Sequence, residues 1–263
     1  MHEFAFVIAG FLVGAIVGMT GVGGGSLMTP ILIFFFGVKP YLAVGTDLLF
    51  AAFTKMGGTV KLARSGTIDW PVVLNLSAGS IPASMLTLYV LHTLGPASAS
   101  VQGIMTSTLG VALLLTAAAT LYKALRGKAA PRSLAPELRA SAARARHWSL
   151  PLLFGAVIGT LVTLTSVGAG AIGVTVLMLL YPLLPLQRIV AADIAYAVPL
   201  TLVAGLGHAS LGSVDWPMLA ALLAGSIPGI WVGSHLIVKT PERLIRSLLS
   251  VLLAYAGMKL IAL

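Results

Sequence analysis

The sequence predicts an all-α polytopic membrane protein with two inverted-topology repeats, each a glycine-broken helical hairpin followed by three transmembrane helices. Three observations predict this fold class: the composition, an internal repeat and the distribution of basic residues. Hydrophobic residues occupy 58% of the 263 positions, charged residues occupy 9%, and the mean hydropathy is +1.03. Soluble domains carry about a quarter charged residues. The chain is therefore expected to cross a membrane several times.

The composition and motifs also exclude function classes. The chain has no cysteine, so it has neither disulfides nor thiolate metal sites. Most of the net charge of +9 lies in short loops between apolar segments, where basic residues set membrane topology rather than bind nucleic acid. A nucleotide-binding P-loop and an HExxH zinc motif are both absent from the sequence. We expect no enzyme activity, no cofactor, no metal site and no nucleic-acid partner.

An internal repeat divides the chain into two halves. The tripeptide Asp-Trp-Pro at 69–71 recurs at 215–217, and Ala-Gly-Ser-Ile-Pro at 78–82 recurs at 224–228, both 146 positions later. Two ungapped matches at one spacing indicate a duplicated unit. The predicted organisation is a first transmembrane repeat at 1–122, a basic cytoplasmic linker at 123–147 and a second transmembrane repeat at 148–263.

Each repeat begins with a long apolar region that glycines interrupt. The regions 4–36 and 150–181 are long for one membrane helix and short for two, since each full crossing needs about 20 residues. The interruptions run from Gly21 to Ser26 and from Ser166 to Ala171. Each glycine costs a continuous helix about 1 kcal/mol relative to alanine. We therefore predict two helical hairpins, each reversing at its glycine break within the membrane.

Three ordinary transmembrane helices are predicted after each hairpin. Each of these segments is close to the length of about 20 residues that spans a bilayer. They lie at 43–62, 70–91 and 101–122 in the first repeat, and at 189–207, 216–237 and 244–262 in the second.

The basic residues set the orientation of these helices. The linker 123–147 carries seven Lys or Arg residues against one acid and is expected in the cytoplasm. The loops 92–100 and 208–214 contain neither Lys nor Arg and are expected outside. The basic loop 239–246 falls inside only if the hairpin at 150–181 returns the chain to the side on which it began. When the membrane crossings are counted in this way, the second repeat has the opposite orientation in the membrane to the first.

The two glycine breaks are predicted to face each other and to bind an anion. Glycines that lead into a helix expose backbone N–H groups and the positive end of the helix dipole, and neighbouring hydroxyls add donors. The alternative is that the glycines only permit close helix packing. The candidate substrate ligands in the breaks are Thr20, Gly23, Gly24, Gly25, Ser26, Thr165, Ser166, Gly168 and Gly170.

Ionisable groups inside membrane helices are functional candidates by default. Lys55 is well inside its helix and is either an anion ligand or a structural partner of Asp47, eight residues earlier. Asp47 and Asp193 are equivalent under the repeat. They are candidate coupling groups, or else polar residues that satisfy backbone donors near a helix start. His208, near an outer helix end, is expected to be interfacial rather than a proton relay.

Two further repeated motifs have mainly structural interpretations. Asp69 and Asp215 are each followed by Trp-Pro and are expected to cap a helix, with proline in its first turn and tryptophan at the membrane interface. A glycine and a proline recur in the middle of a later helix of each repeat and are hinge candidates. These hinge candidates are Gly79, Pro82, Gly225 and Pro228.

The glycine pattern resembles that of a known family. Gly14 and Gly18 are followed by Gly21, Gly23, Gly24 and Gly25, then by Pro30 and Gly45-Thr46, and a second half has the same layout. This arrangement resembles the TauE/SafE sulfite exporter family, also called the four-segment toluene sulfonate uptake permease family, over essentially the whole chain. The resemblance implies secondary transport of small sulfur-containing or organic anions across the bacterial inner membrane. The second break departs from a full glycine run.

The sequence therefore predicts a secondary transporter of small organic or sulfur-containing anions, such as sulfite, sulfoacetate or related sulfonates and carboxylates. The expected mechanism is alternating access, with the two halves moving about a midplane site. An anion channel, or a cation or proton carrier that uses Asp47 and Asp193, is the alternative. The expected partners are the anion and the lipid bilayer, while coupling to protons and a homodimer stay open.

Overall fold

A computed structural model describes residues 2–20, 25–126, 149–236 and 242–262 of the chain. These residues form ten α-helices and no strand. The all-helical class is therefore confirmed. In chain order the helices are α1 (His2–Thr20), α2 (Gly25–Phe36), α3 (Pro40–Arg64), α4 (Trp70–Leu94), α5 (Ala99–Arg126), α6 (Ser149–Thr165), α7 (Ala171–Leu180), α8 (Leu186–Ser210), α9 (Trp216–Leu236) and α10 (Glu242–Ile261).

Both predicted hairpin regions divide into two helices where the glycines occur. The first region gives α1 and α2, and the second gives α6 and α7. With 12 and 10 residues, α2 and α7 are about 18 and 15 Å long, roughly half of a bilayer core of about 30 Å. Gly21–Gly24 and the part of the predicted linker from residue 127 onwards lie outside the described residues.

Four described helices are long and apolar enough to cross a membrane by length and composition: α4, α5, α8 and α9. The apolar helices α2, α6 and α7 are shorter than a full crossing. Helix α3 has 25 residues but also contains Asp47 and Lys55, which lower its hydropathy. This pattern agrees with a helical membrane protein with several crossings.

The two Asp-Trp-Pro motifs start α4 and α9 as predicted, but their aspartates differ. Asp215 accepts a hydrogen bond from the backbone N–H of Met218 at 3.0 Å and caps α9. Asp69 makes no capping hydrogen bond. The prediction of a cap at Asp69 is wrong because its carboxylate turns instead towards Arg188, with an N–O distance of 3.9 Å.

The first helix of each repeat packs against a helix of the other repeat. Helix α1 lies along α9, and α6 lies along α4. At these contacts glycine brings the two backbones together: Gly14 meets the backbone of Ser226, and Gly159 meets that of Ser80. Both pairs run parallel, since one turn earlier Gly10 meets Leu222 between α1 and α9, and Gly155 meets Leu76 between α6 and α4. Close packing of this kind is what small residues provide between membrane helices.

Two pairs of corresponding helices, α3 with α8 and α5 with α10, run antiparallel where they meet. At one end of the α3–α8 contact Gly45 meets His208, and at the other Thr59 donates a hydrogen bond to the Ile194 carbonyl at 3.5 Å. Helices α5 and α10 also pair, with Gly110 and Gly257 in contact. The last helix of each repeat therefore also meets its own counterpart.

Buried hydrophobic residues form two clusters, and each draws on both repeats. The first joins α4, α6, α7 and α8 and includes Leu76, Val162 and Leu177. The second joins α1, α2, α9 and α10 with most of α5 and includes Met28 and Leu222. Helix α3 supplies residues to both clusters and lies between them. Each cluster therefore combines helices from both repeats, and neither cluster corresponds to a single repeat.

Candidate functional site

The second glycine break is a compact turn between α6 and α7. Ser166 has a φ of 58°, and Gly168 and Gly170 have φ values of 133° and 137°. These backbone conformations favour glycine because a Cβ atom would clash. The Thr165 hydroxyl accepts a hydrogen bond from the Val167 N–H at 3.1 Å and thereby holds the turn together. Gly168 and Gly170 thus shape the backbone that enters α7.

Asp47 links residues that adjoin the two breaks. Its side chain is fully buried, and its Oδ2 accepts a hydrogen bond of 2.5 Å from the Thr29 hydroxyl. Thr29 lies in the N-terminal part of α2, directly after the first break. Ser166 of the second break lies next to the same carboxyl group, although its hydroxyl makes no hydrogen bond within the described residues. One carboxyl group therefore touches α2 and the turn before α7.

Lys55 crosses from the first repeat into the second break. Its side chain is 7% exposed, and its Nζ donates a hydrogen bond of 3.0 Å to the Ala169 carbonyl. Ala169 lies between Gly168 and Gly170, so the ammonium group is held at the turn that leads into α7. Both Asp193 and Asp47 lie within electrostatic range of this ammonium. It is a buried cation at the break with carboxyl groups nearby.

Asp193 has a position in the second repeat that matches that of Asp47 in the first. It is 1% exposed, and its Oδ1 lies directly against the Cα of Gly173 in the first turn of α7. Each aspartate therefore faces the N-terminal part of the short helix of its own repeat. A carboxylate is stabilised at that end because the helix dipole is positive there.

The register of α3 and α8 places the three groups at different depths. Gly58 contacts Ile194, so Asp193 is about four residues, or about 6 Å, beyond Lys55 along α3. Asp47 lies eight residues before Lys55, which is about 12 Å in the opposite direction. Lys55 is thus between two carboxyl groups and closer in depth to Asp193.

The cation is not duplicated in the second repeat. The position equivalent to Lys55 is Thr201, whose hydroxyl donates to the Ala197 carbonyl of its own helix at 2.8 Å. The two aspartates occupy equivalent positions in the two repeats, but among the described residues only the first repeat contributes a cation to the site.

The remaining predicted ligands fall into two groups. Ser26 and Thr165 are buried beside the breaks, and Gly25 is the first residue of α2. Gly23, Gly24 and the Thr20 side chain lie outside the described residues.

The four hinge candidates differ in whether they lie at a contact between helices. Gly79 meets the backbone of Leu152, and Gly225 meets those of Val7 and Phe11. Pro82 and Pro228 are exposed on the outer sides of their helices. The glycines therefore permit close contact between helices, and a hinge role stays a prediction.

His208 was expected to be interfacial because it is near a helix end; it does lie in the last turn of α8, but its side chain is inside the protein. The side chain is 0% exposed, and Nε2 lies 2.9 Å from the Thr163 carbonyl oxygen. The chain folds back after α8, and the Ser213 N–H donates a hydrogen bond to the His208 carbonyl at 2.9 Å. Gly45 makes room for this arrangement, because a side chain there would meet both Ser213 and His208. The glycine at 45 was the only sequence signal of this close approach.

Comparison with known proteins agrees with this architecture. The family described as sulfite exporter TauE/SafE matches residues 6–260. A probable membrane transporter protein of Bacillus subtilis (strain 168), YjnA, is 36% identical over 257 residues, which cover 98% of this chain and 99% of the relative. A second from the same organism, YunE, is 29% identical over 245 residues, or 90% and 87% of the two chains. No solved structure matches the chain.

Proposed function

Because this chain belongs to the sulfite exporter TauE/SafE family of membrane transporters, we propose that it is a secondary transporter of small organic or sulfur-containing anions of the sulfite, sulfoacetate or related sulfonate type. It works by alternating access across the bacterial inner membrane. The observation that carries the proposal is Lys55, a buried cation held at the Ala169 carbonyl where the chain enters α7.

The Lys55 ammonium suits an anion that must bind and leave again. An ammonium has three N–H donors, and Lys55 makes one hydrogen bond within the described residues, to Ala169. The other donors can serve a sulfonate or carboxylate oxygen. The N-terminus of α7 lies beside it and adds the positive end of a helix dipole. A single lysine attracts an anion without the rigid bidentate grip of an arginine.

The two aspartates support coupling to protons. Asp47 and Asp193 are buried near one lysine, so three ionised side chains would leave a net negative charge at the site. The register of α3 and α8 puts the two carboxyl groups about 18 Å apart in depth, where like charges repel by about 0.9 kcal/mol at an effective dielectric constant of 20. Protonation of one carboxyl group removes this repulsion and lets the anion enter. We therefore propose that a proton accompanies each anion.

The helix directions support the inverted topology. Helix α1 is parallel to α9, and α9 corresponds to α4 of the first repeat. Corresponding helices run in opposite directions, so α1 and α4 are antiparallel. The chain must therefore change direction an odd number of times between α1 and α4. It does so if α1 and α2 form a hairpin, because the chain then reverses after α1, after α2 and after α3. We propose that the loops 92–100 and 208–214 are outside and that the linker 123–147, between repeats 1–122 and 148–263, is cytoplasmic.

We further propose that the moving bodies are not the two repeats. The tight glycine contacts fix α1 to α9 and α6 to α4, each across the repeats. One body then consists of α1, α2 and α9, and the other of α4, α6, α7 and α8, which matches the two hydrophobic clusters. Asp47, Lys55 and the second break lie where these bodies meet. Relative movement of the bodies would expose the anion to one side at a time.

Transport in proteoliposomes tests the function and the role of Lys55. Uptake of sulfite, sulfoacetate and taurine is measured with and without a pH gradient. We expect Lys55→Gln to abolish anion transport because the buried cation is lost. Lys61→Gln, on the same helix but exposed, is the matched control and should transport normally. Wild-type flux in the Lys55→Gln variant would contradict the proposed site.

A cation or proton carrier is a second candidate, favoured by the two buried carboxyl groups on either side of Lys55. The same vesicles distinguish it. If Na⁺ or H⁺ moves and none of the three anions does, the protein is a cation carrier and the proposal of anion transport is wrong.

A further inference from the structure

His208 is a buried titratable side chain that anion binding by Lys55 does not use. It lies in the last turn of α8, two residues before the exposed Ser210. Its Nε2 faces the Thr163 carbonyl oxygen at 2.9 Å. A carbonyl oxygen only accepts hydrogen bonds, so Nε2 carries the proton of the neutral ring. Nδ1 is then the basic nitrogen, and it has no hydrogen-bond partner within the described residues.

Three other buried polar atoms belong to the elements around His208 and Asp47. The Ser213 hydroxyl belongs to the loop that follows α8, and the Ser166 hydroxyl lies beside the Asp47 carboxyl group, whose Oδ1 is the third atom. None of these three atoms has a partner in the described part of the chain. Buried polar atoms without a protein partner are commonly satisfied by water. Ser213 lies three residues beyond the end of α8, and Ser166 lies directly after α6 and beside Asp47.

The last turn of α6 joins His208 to Asp47. His208 contacts it at Thr163, and Asp47 contacts Ser166, three residues later. One helical turn rises by about 5 Å, which is the span of one or two water molecules. The loop after Ser210 continues to the exposed Gly212. His208 is thus between the surface and the carboxyl group that lies between the two breaks.

The charged and titratable groups around His208 are few. Helix α3 contributes Asp47, α9 begins next to Asp215, and α4 contributes Tyr89 and His92, which are both exposed. Helix α6 has no titratable side chain, and the other titratable side chains of α8 are Arg188, Asp193 and Tyr196, all nearer its N-terminus. Asp47 is therefore the buried acid nearest to His208 along this route.

We propose that His208 transfers protons between the outer face of the protein and Asp47. The inference rests on the proposed proton-coupled transport. Nδ1 takes a proton from water at the end of α8 and forms the imidazolium ion, while Nε2–H stays on the Thr163 carbonyl. The same nitrogen then releases the proton through water to the Asp47 carboxylate, and the ring is neutral again. His208 is a relay and does not touch the anion.

His208→Gln tests this role, since its amide can still donate to Thr163 but cannot carry a proton. We expect transport driven by a pH gradient to fall on the order of 100-fold, the scale of a lost acid–base group. Exchange of anions across the membrane without a pH gradient should be unchanged, because it needs no net proton transfer. His235→Gln, at an exposed histidine that bonds to the Trp231 carbonyl, should leave both activities unchanged.

Chemical rescue provides the second measurement. In His208→Ala, added imidazole should restore transport driven by the pH gradient, whereas pyrazole, equal in size but much less basic, should not. Equal losses of exchange and driven transport in His208→Gln, or equal rescue by both compounds, would overturn the relay. If the wild-type protein exchanges no anion, the proposed function fails instead.

Discussion

At the scale of single residues, the proposed site rests on three side chains: Asp47, Lys55 and Asp193. The sequence identified all three, because an ionisable group within an apolar segment is conspicuous. It did not identify their contacts. Lys55 donates to Ala169, 114 positions away, and no local pattern encodes such a distant contact. The sequence placed His208 near an outer helix end but did not reveal that its side chain is buried, since that burial depends on tertiary packing.

The hydrogen bond from Thr29 to Asp47 leads to a prediction for stability. Thr29→Val keeps the shape of the side chain but leaves the buried carboxyl group without this donor. We expect the free energy of unfolding to fall by about 1–3 kcal/mol, the cost of an unsatisfied buried polar group. Unfolding of the purified protein in detergent measures this change.

Thr116→Val is the matched control for that measurement. Thr116 is equally buried, but its hydroxyl donates to the Ala112 carbonyl of its own helix. That carbonyl keeps its backbone hydrogen bond when the hydroxyl is removed, so the loss should be smaller. Equal losses in the two variants would mean that the Asp47 contact contributes nothing specific.

At the scale of helices, apolar length and glycine position were sufficient to predict most boundaries. The hairpin predicted at 150–181 divides into α6 and α7 at Ser166 to Gly170, where the sequence placed the break. Helix α5 extends beyond its predicted span at both ends, because helices continue past the apolar segment from which they were predicted. Asp69 shows the opposite case, where a cap motif is present but an arginine from α8 attracts the carboxylate.

Gly173 provides a prediction at this scale. A side chain there would collide with Asp193 Oδ1, so Gly173→Ala should displace the carboxyl group from the first turn of α7. We expect transport to be lost and the free energy of unfolding to fall by about 1–3 kcal/mol, as in an overpacked core. Flux assays and unfolding in detergent measure the two effects.

Gly57→Ala is the control for this substitution. A Cβ at Gly57 would meet no atom within 4 Å, and alanine favours a helix by about 1 kcal/mol over glycine. That variant should transport normally and be at least as stable as the wild type. Normal transport in Gly173→Ala would show that the position of Asp193 against α7 is not required.

At the scale of the whole molecule, the duplication was visible in the sequence, but the pairing of its parts was not. The matches at a spacing of 146 identify which helices correspond. They do not reveal that α1 packs on α9 and α6 on α4. Gly14 and Gly159 indicate that another helix comes close, but the sequence does not show which helix it is. Movement of one repeat against the other would have to break both of these interfaces.

Cysteine pairs test the proposed moving bodies, and the natural absence of cysteine simplifies the experiment. Ser84 and Thr163 join α4 to α6 within one body, with a distance of 2.8 Å between their hydroxyl oxygens. Gly58 and Ile194 lie side by side between α3 and α8, where the bodies meet. We expect a disulfide at 84–163 to leave transport intact and one at 58–194 to stop it until reduction.

The two crosslinks control for each other, because both double variants are compared before and after reduction. Loss of transport on oxidation of the 84–163 pair would contradict a rigid α4–α6 unit. Full transport with the 58–194 disulfide formed would mean that α3 and α8 move together.

The pairing of α1 with α9 also sets the order in which the protein can be made. About 200 residues separate the two helices, and a ribosome adds about 5–20 residues per second, so α1 is synthesised roughly 10–40 s before α9. During that interval Gly10 and Gly14 have no partner backbone to meet. The first repeat alone therefore lacks the backbone that α1 packs against, and we expect α1 to reach its final position only after α9 has been synthesised.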